Sequence, residues 1–303
     1  MHPVLFRLPL VDWPLHSYGV LIAIGFIVGI SVALREARRQ GEFEEESLDF
    51  AFWALVGGMV GARIYFIAVN WEQYFVTHPL VSVDILPFRI PAVFAVWQGG
   101  LVFWGGALGG VVAFFIYCHR HNINAAKFAD LAIPSLSLGH FFGRLGCFAA
   151  GCCWGEPAYH LNAGQVVTDI PFAAQFPPQA LAYTSLIRTA DTETVRLMSD
   201  LGTTLPLHPV QLYESFGELI IFALLILVRS RKWFHGQVAL SFFILYPILR
   251  SVMELFRGDP ERGYLIDGVL SWGQFTSILV ALGAIGLIVY RRVTAPALQP
   301  AGA

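Results

Sequence analysis

Apolar residues gather along this chain into seven blocks, at 18–34, 48–69, 97–118, 128–150, 208–228, 237–256 and 268–290, with polar or charged residues between them. The blocks are continuous rather than alternating, and each approaches the roughly 20 residues that a helix needs to cross a hydrocarbon core. A backbone in lipid must satisfy its own hydrogen bonds, so the pattern predicts helices. The expected fold is an all-α integral membrane protein of seven transmembrane helices, with 1–303 as a single polytopic membrane domain. Two polar intervals are too long for simple turns between packed helices. Residues 70–96 read as an extracytoplasmic arm. Residues 151–207, with Pro157, Pro171, Pro177 and Pro178, read as a small extracytoplasmic cap insertion.

Composition agrees with the blocks. At 56% hydrophobic and 13% charged, with a mean hydropathy of +0.62, the chain lies far from soluble proteins, where about a quarter of residues are charged. The net charge of -2 and the scattered basic residues exclude a nucleic-acid surface or a polybasic lipid patch, leaving membrane lipid as the expected partner. The first 16 residues lack the charged start and cleavage site of a signal peptide. Of the 19 Lys and Arg, ten fall in intervals on one side of the blocks, six on the other and three inside blocks. Cytoplasmic loops carry the positive excess, which predicts the N-terminus outside and the C-terminus in the cytoplasm.

The three cations inside blocks, Arg63, Arg144 and Arg250, each cost about 2.5–3.5 kcal/mol on insertion scales and so should face a polar cavity. Tyr246, Arg250 and Glu254 follow at i, i+4 and i+8 on the sixth block, and Arg257 lies three further on. His140 and Arg144 share a face of the fourth. His208, Gln211, Glu214 and Glu218 descend a polar face of the fifth. Two arginines with hydroxyl donors suit a phosphate, which guanidinium groups grip with paired N–H groups, and a phospholipid head group is the natural candidate.

Gly57 with Gly61, Gly105 with Gly109, and Gly106 with Gly110 stand at close-packing spacing. Gly99 and Gly100, at a helix entrance, could instead admit a head group. Cys147, Cys152 and Cys153 cluster at the end of the fourth block, but their spacing is not that of a zinc site. They read as small apolar filler or a disulfide, and neither metal nor cofactor is expected.

These residues bring the chain close to a known family: it resembles bacterial prolipoprotein diacylglyceryl transferases. Their signature G-R-x-G-N-F-x-N-x-E-x-x-G is matched at Gly143, Arg144, Gly146, Phe148 and Gly155. The likeness extends to His16–Gly19, Gly61-Ala62-Arg63, Gly99-Gly100-Leu101, His208-Pro209-x-Gln211-Leu212-Tyr213-Glu214 and the Tyr246 to Arg257 series. It implies a multi-pass protein of the bacterial plasma (inner) membrane. Such a protein moves diacylglyceryl from phosphatidylglycerol to the lipobox cysteine of a prolipoprotein signal peptide, releasing glycerol phosphate. It further implies that Arg144 and Arg250 hold the lipid phosphate and that Tyr18 and Tyr246 position the head group.

The chain departs from that pattern with Cys147, Ala150 and Cys152 where the family has Asn, Asn and Glu, and with Trp104 where many members carry a histidine. Trp104 accepts no proton, so His140, one turn from Arg144, becomes the candidate base. The expected site is thus His140, Arg144, Arg250 and Tyr246 for chemistry, with Tyr18, Gly99, Gly100, His208 and Glu254 beside them for binding. A lipid-binding paralogue without turnover and a small-molecule transporter are the alternatives.

Overall fold

A computed structural model describes residues 4–8, 13–72, 74–75, 80–82, 89–94, 100, 102–162, 165–258, 263–266 and 269–294. Helices α1 (Ser17–Gln40), α2 (Glu44–Val69), α3 (Phe103–Arg120), α4 (Ala125–Ala150), α7 (Val210–Ser230), α8 (Gln237–Glu254) and α9 (Trp272–Thr294) occupy the seven apolar blocks. Among the described residues, α1, α2, α7, α8 and α9 are long and apolar enough to cross a membrane, by length and composition. Two shorter helices, α5 (Leu181–Thr189) and α6 (Thr192–Leu201), follow α4. Antiparallel hairpins, which hydropathy does not announce, join Val4–Leu8 to Trp13–His16 (β1, β2), Leu80–Ser82 to Arg89–Pro91 (β3, β4), Tyr159–Asn162 to Gln165–Thr168 (β5, β6), and Tyr264–Ile266 to Leu270–Ser271 (β7, β8).

The chain divides into two compact units. The first comprises residues 34–128, built on α2 against α3. A Cβ on Gly61 would meet the Gly105 carbonyl and, at 2.8 Å, the Gly109 Cα, while one on Gly57 would stand 3.0 Å from the Gly109 carbonyl. The two backbones therefore touch directly, as small-residue spacing predicts. Gly110 has open space beside it, so the second glycine pair of α3 lies off this seam. At one end Phe50, Phe114, Tyr117 and Phe128 pack edge to face or stacked, with centroids 5.4–6.4 Å apart. Lys127 pairs with Glu42 beside them.

Arg63 differs from expectation. Instead of facing a cavity, its guanidinium donates to the carbonyls of Val93 (3.0 Å), Ala92 (2.9 Å) and Gly100 (3.4 Å), with Tyr74 and Phe66 against its face. Backbone oxygens left open at a 3-10 turn (Ala92–Phe94) satisfy the buried cation, and the cation fixes that turn.

The second unit comprises residues 1–33 and 129–303. Gly25 and Gly29 of α1 lie against α4, where added Cβ atoms would meet Phe142 at 2.7 Å and the Ser135 carbonyl at 3.2 Å. Gly217 of α7 receives Leu249 of α8 in the same way. Residues 151–207 carry an apolar core of Trp154, Ala174, Phe176, Ala180, Ala182 and Leu207, with Phe148 of α4 and Leu186 packed against it.

Two helix entries in this unit are capped by different means. At α9, Ser271 and Gln274 exchange side-chain hydrogen bonds with each other's backbone N–H at 3.1 Å, a reciprocal box written locally as S-x-x-Q. At α8, the cap comes from 106 residues away. Asp130 of α4, 1% exposed, accepts from the backbone N–H of Gly236 (2.9 Å), Val238 (2.9 Å) and Ala239 (3.1 Å) and from Lys232 Nζ (2.9 Å). One carboxylate thus serves three of the N–H groups that a helix start leaves open, and lies at the positive end of the helix dipole.

Candidate active site

The site is a polar seam between α4 and α7, completed by α8. Residues Ser137, His140 and Arg144 fall on one face of α4, at intervals of three and four. Gln211, Glu214, Ser215 and Glu218 fall on one face of α7, and all four are buried. An apolar helix turns such a stripe only toward groups that satisfy it.

Here the two stripes meet in pairs. Ser137 Oγ lies 2.6 Å from Glu218 Oε2 and 3.0 Å from the Glu218 carbonyl, and Glu218 Oε1 lies 2.6 Å from His140 Nδ1. Ser215 Oγ donates to the Phe141 carbonyl at 3.1 Å. Arg144 Nη2 stands 2.8 Å from Glu214 Oε1, both groups nearly covered. Gln211 Nε2 donates to the Cys152 carbonyl at 2.7 Å, tying α7 to the chain just beyond α4.

Helix α8 brings its phenol and its second cation to this seam. The Tyr246 ring lies 5.3 Å from the His140 ring, and its hydroxyl is within electrostatic reach of Glu214, Arg144, Arg250 and Glu218. Arg250 Nη1 is 2.6 Å from Glu254 Oε2, one helical turn away. These two mark the far edge of the cluster, beside Gly273 at the start of α9, where an added Cβ would stand 3.7 Å from Arg250 Nη2 and 4.0 Å from Glu254 Oε2.

The pairing leaves a donor and an acceptor open. Arg144 Nε and Gln211 Oε1 are buried and find no hydrogen-bond partner among the described residues, and Arg144 meets Glu214 as an ion contact without an aligned hydrogen bond. A guanidinium with a buried open N–H is set to take an oxyanion. Glu218 holds His140 by its Nδ1 side, so Nε2 is the ring nitrogen not engaged by that carboxylate.

Tyr18, at the start of α1, packs over Gly146, where a Cβ would come within 2.9 Å of its ring, so the signature glycine makes room for the phenol. His208 has its ring against Tyr213 and Phe256, with Nδ1 3.2 Å from the Tyr213 hydroxyl. Its carbonyl accepts from Gly155 N–H at 3.0 Å, and Gly155 is so close to His208 and Val210 that any side chain there would clash at 2.6 Å. Gly100, in the unit of residues 34–128, has φ +83° and lies against Phe66 and Arg63, which fill the space where a side chain would be. Gly99 lies outside the described residues. Trp104 is 63% exposed on α3.

Glu214 and Glu218 are the residues of this seam whose partners the sequence leaves unassigned. Their i, i+4 spacing on an apolar helix is the available signal, but their partners lie 70 and 78 positions away.

Past α4 the chain turns sharply through Gly151 (φ +70°) and Cys153 (φ +58°), which brings the sulfurs of Cys147, Cys152 and Cys153 within 4.8 Å of one another. The neighbouring Cys147 and Cys152 thiols, with Arg257 and Arg144 nearby, hold the Cys153 thiol below its usual range.

The profile of the family described as prolipoprotein diacylglyceryl transferase matches residues 3–290. Curated relatives named phosphatidylglycerol--prolipoprotein diacylglyceryl transferase include that of Clostridium tetani, 28% identical over 96% of this chain and 97% of its own length. That of Serratia proteamaculans is 31% identical over 96% and 93%, and that of Clostridioides difficile 31% identical over 90% and 89%. The match over residues 3–290, with a polar seam centred on the signature arginine, leads to one conclusion: this chain is a multi-pass membrane protein of the prolipoprotein diacylglyceryl transferase family.

Proposed function

We propose that this protein transfers the diacylglyceryl group of phosphatidylglycerol to the lipobox cysteine of an exported prolipoprotein and releases glycerol phosphate. The observation that carries the reading is the buried Arg144 with its open Nε, next to Tyr246 and an imidazole–carboxylate pair. In this reading Arg144 and Arg250 take the lipid phosphate, and Tyr246 and Tyr18 position the head group. The cysteine sulfur attacks the glyceryl carbon that bears the phosphate ester. The C–S bond forms as the C–O bond breaks, and the leaving oxygen keeps its electron pair under the field of the two guanidinium groups. The thiol proton passes to His140 Nε2, and Glu218 stabilises the imidazolium that forms.

Transfer is measured with purified protein, phosphatidylglycerol and a lipobox peptide in detergent. The expected product is a thioether-linked diacylglyceryl peptide with one glycerol phosphate released per turnover. Lipid binding without product would identify a paralogue that keeps the pocket and lacks the reaction.

A base supplies about 10²- to 10⁴-fold, so His140→Ala is expected to lower turnover at least a hundredfold with lipid binding kept. His140→Gln retains a hydrogen bond to Glu218 without basicity and should fall equally far. Near-normal turnover in that variant would make the histidine a packing residue.

The charge distribution supports seven crossings, the N-terminus outside and the C-terminus in the cytoplasm of a bacterial plasma membrane, with 70–96 and 151–207 as extracytoplasmic arm and cap. The basic last turns of α1 (Arg38, Arg39) and α9 (Arg291, Arg292) fit one cytoplasmic side. Reporter fusions after Arg39 and Arg292 should score cytoplasmic and one after Arg188 external. An external signal after Arg292 would reverse the face on which the seam opens.

A further inference from the structure

The three cysteines do not belong to the lipid chemistry above, yet the chain is bent to gather them. Cys147 lies on the last turn of α4, and Cys152 N–H donates to its carbonyl at 3.1 Å, with Cys152 Sγ 3.7 Å from the same oxygen. Cys153 then adopts φ +58°, a left-handed backbone that non-glycine residues take at a cost, asparagine and aspartate excepted. Glycine at that position would be free of the strain. What the strained backbone achieves is the convergence of three sulfurs within 4.8 Å, none of them in a disulfide.

We propose that Cys147, Cys152 and Cys153 form a three-sulfur site for a single thiophilic d10 ion of the zinc or cuprous class. Zinc–sulfur bonds of about 2.3 Å place neighbouring sulfurs roughly 3.8–4.0 Å apart, so the site closes on an ion by sub-ångström movements. Soft thiolates select these ions over magnesium or calcium. Binding replaces up to three thiol protons, which leave to solvent, and gives a complex of net charge −1 with a divalent ion or −2 with a monovalent one. Arg144 and Arg257, both within electrostatic reach of Cys153, offset that charge. Gln211, itself fully buried, steadies the loop by its hydrogen bond to the Cys152 carbonyl. Sequence spacing alone disfavours a metal here because it counts residues and not turns. Two positive-φ positions within three residues fold a short spacing into one point.

The test uses the full-length protein, purified in detergent, fully reduced and metal-free. It is titrated with Zn²⁺, and in a separate arm with Cu⁺, against a competing chelator, and X-ray absorption reads the coordination. One equivalent should bind, with three sulfur neighbours at about 2.3 Å. Each of Cys147→Ser, Cys152→Ser and Cys153→Ser should weaken binding at least about a hundredfold, given that even the groups behind metal ligands are worth tenfold to a hundredfold. Cys118→Ser should bind as the parent does. Cys153→Gly guards against misfolding: it should melt at or above the parent temperature while losing the ion. Failure of the reduced protein to bind either ion stoichiometrically, or binding that survives these substitutions, would overturn the proposal. So would an as-isolated protein in which two of the three sulfurs are already joined as a disulfide. None of these readouts depends on transferase activity.

Discussion

Replacing Arg144 with Gln is expected to lower transfer by about three decades, the scale on which loss of one preorganised donor to a developing oxyanion is felt. The loss has two possible sources in the structure, and they are separable. Arg144 is the partner of buried Glu214 at 2.8 Å, so its removal also strands a carboxylate, which by itself costs about 3–5 kcal/mol. The double variant Arg144→Gln, Glu214→Gln removes both charges and restores a neutral pair. If the arginine served only to neutralise Glu214, turnover would recover in the double variant. If Arg144 Nε takes the lipid phosphate, turnover stays low while thermal stability recovers. Arg144→Lys keeps a point charge without the paired donors and should retain a small fraction of activity. Wild-type turnover by Arg144→Gln would remove the arginine from the site altogether.

Asp130→Ala is expected to cost about 3–5 kcal/mol of stability, the range found when one partner of a buried charge pair is deleted. The variant strands Lys232, and it uncovers the N–H groups of Gly236, Val238 and Ala239 at once. Asp130→Asn keeps the shape but turns an amide toward Lys232 in place of one acceptor, so it should also destabilise, by less. Lys232→Met leaves the carboxylate with its three backbone donors and should be the mildest of the three. Thermal unfolding in detergent ranks them. Equal melting of Asp130→Asn and the parent would mean that α8 starts without help from α4. Because α8 carries Tyr246 and Arg250, a shifted α8 should also raise the concentration of phosphatidylglycerol needed for half-maximal transfer.

These two residues mark what the sequence discloses and what it withholds. Arg144 was legible because a cation in an apolar block is costly wherever it points, and the cost itself is a signal. The seven helices were legible as long apolar blocks, and the observed helices begin and end within a few residues of those blocks apart from α1 and α3. Asp130 gives no such signal. It stands near the polar end of its block, and only the return of residues 232–239 makes it a cap. The His140–Glu218 pair was half visible, as two polar faces whose register across 78 residues no local pattern encodes. Arg63 misled because backbone carbonyls, invisible in a sequence, are as good a partner for a guanidinium as any acidic side chain. The convergence of the cysteine sulfurs was not legible because it follows from φ at Gly151 and Cys153 rather than from spacing.

The division of the chain into a contiguous unit and a split one bears on its biogenesis. Residues 34–128 can close the glycine seam of α2 and α3 as soon as they leave the ribosome. Helix α1 cannot settle so early, since Gly25 and Gly29 wait for Phe142 and Ser135, and Tyr18 waits for Gly146. At about 5–20 residues per second, that interval of more than 100 residues lasts roughly 5–25 seconds. During it the first span stands in the bilayer, or beside the insertion machinery, with its α4-facing glycines unmatched. Mutations that enlarge Gly25 or Gly29 should therefore show themselves first as nascent chains that are made, inserted and degraded, before any mature enzyme exists to be assayed.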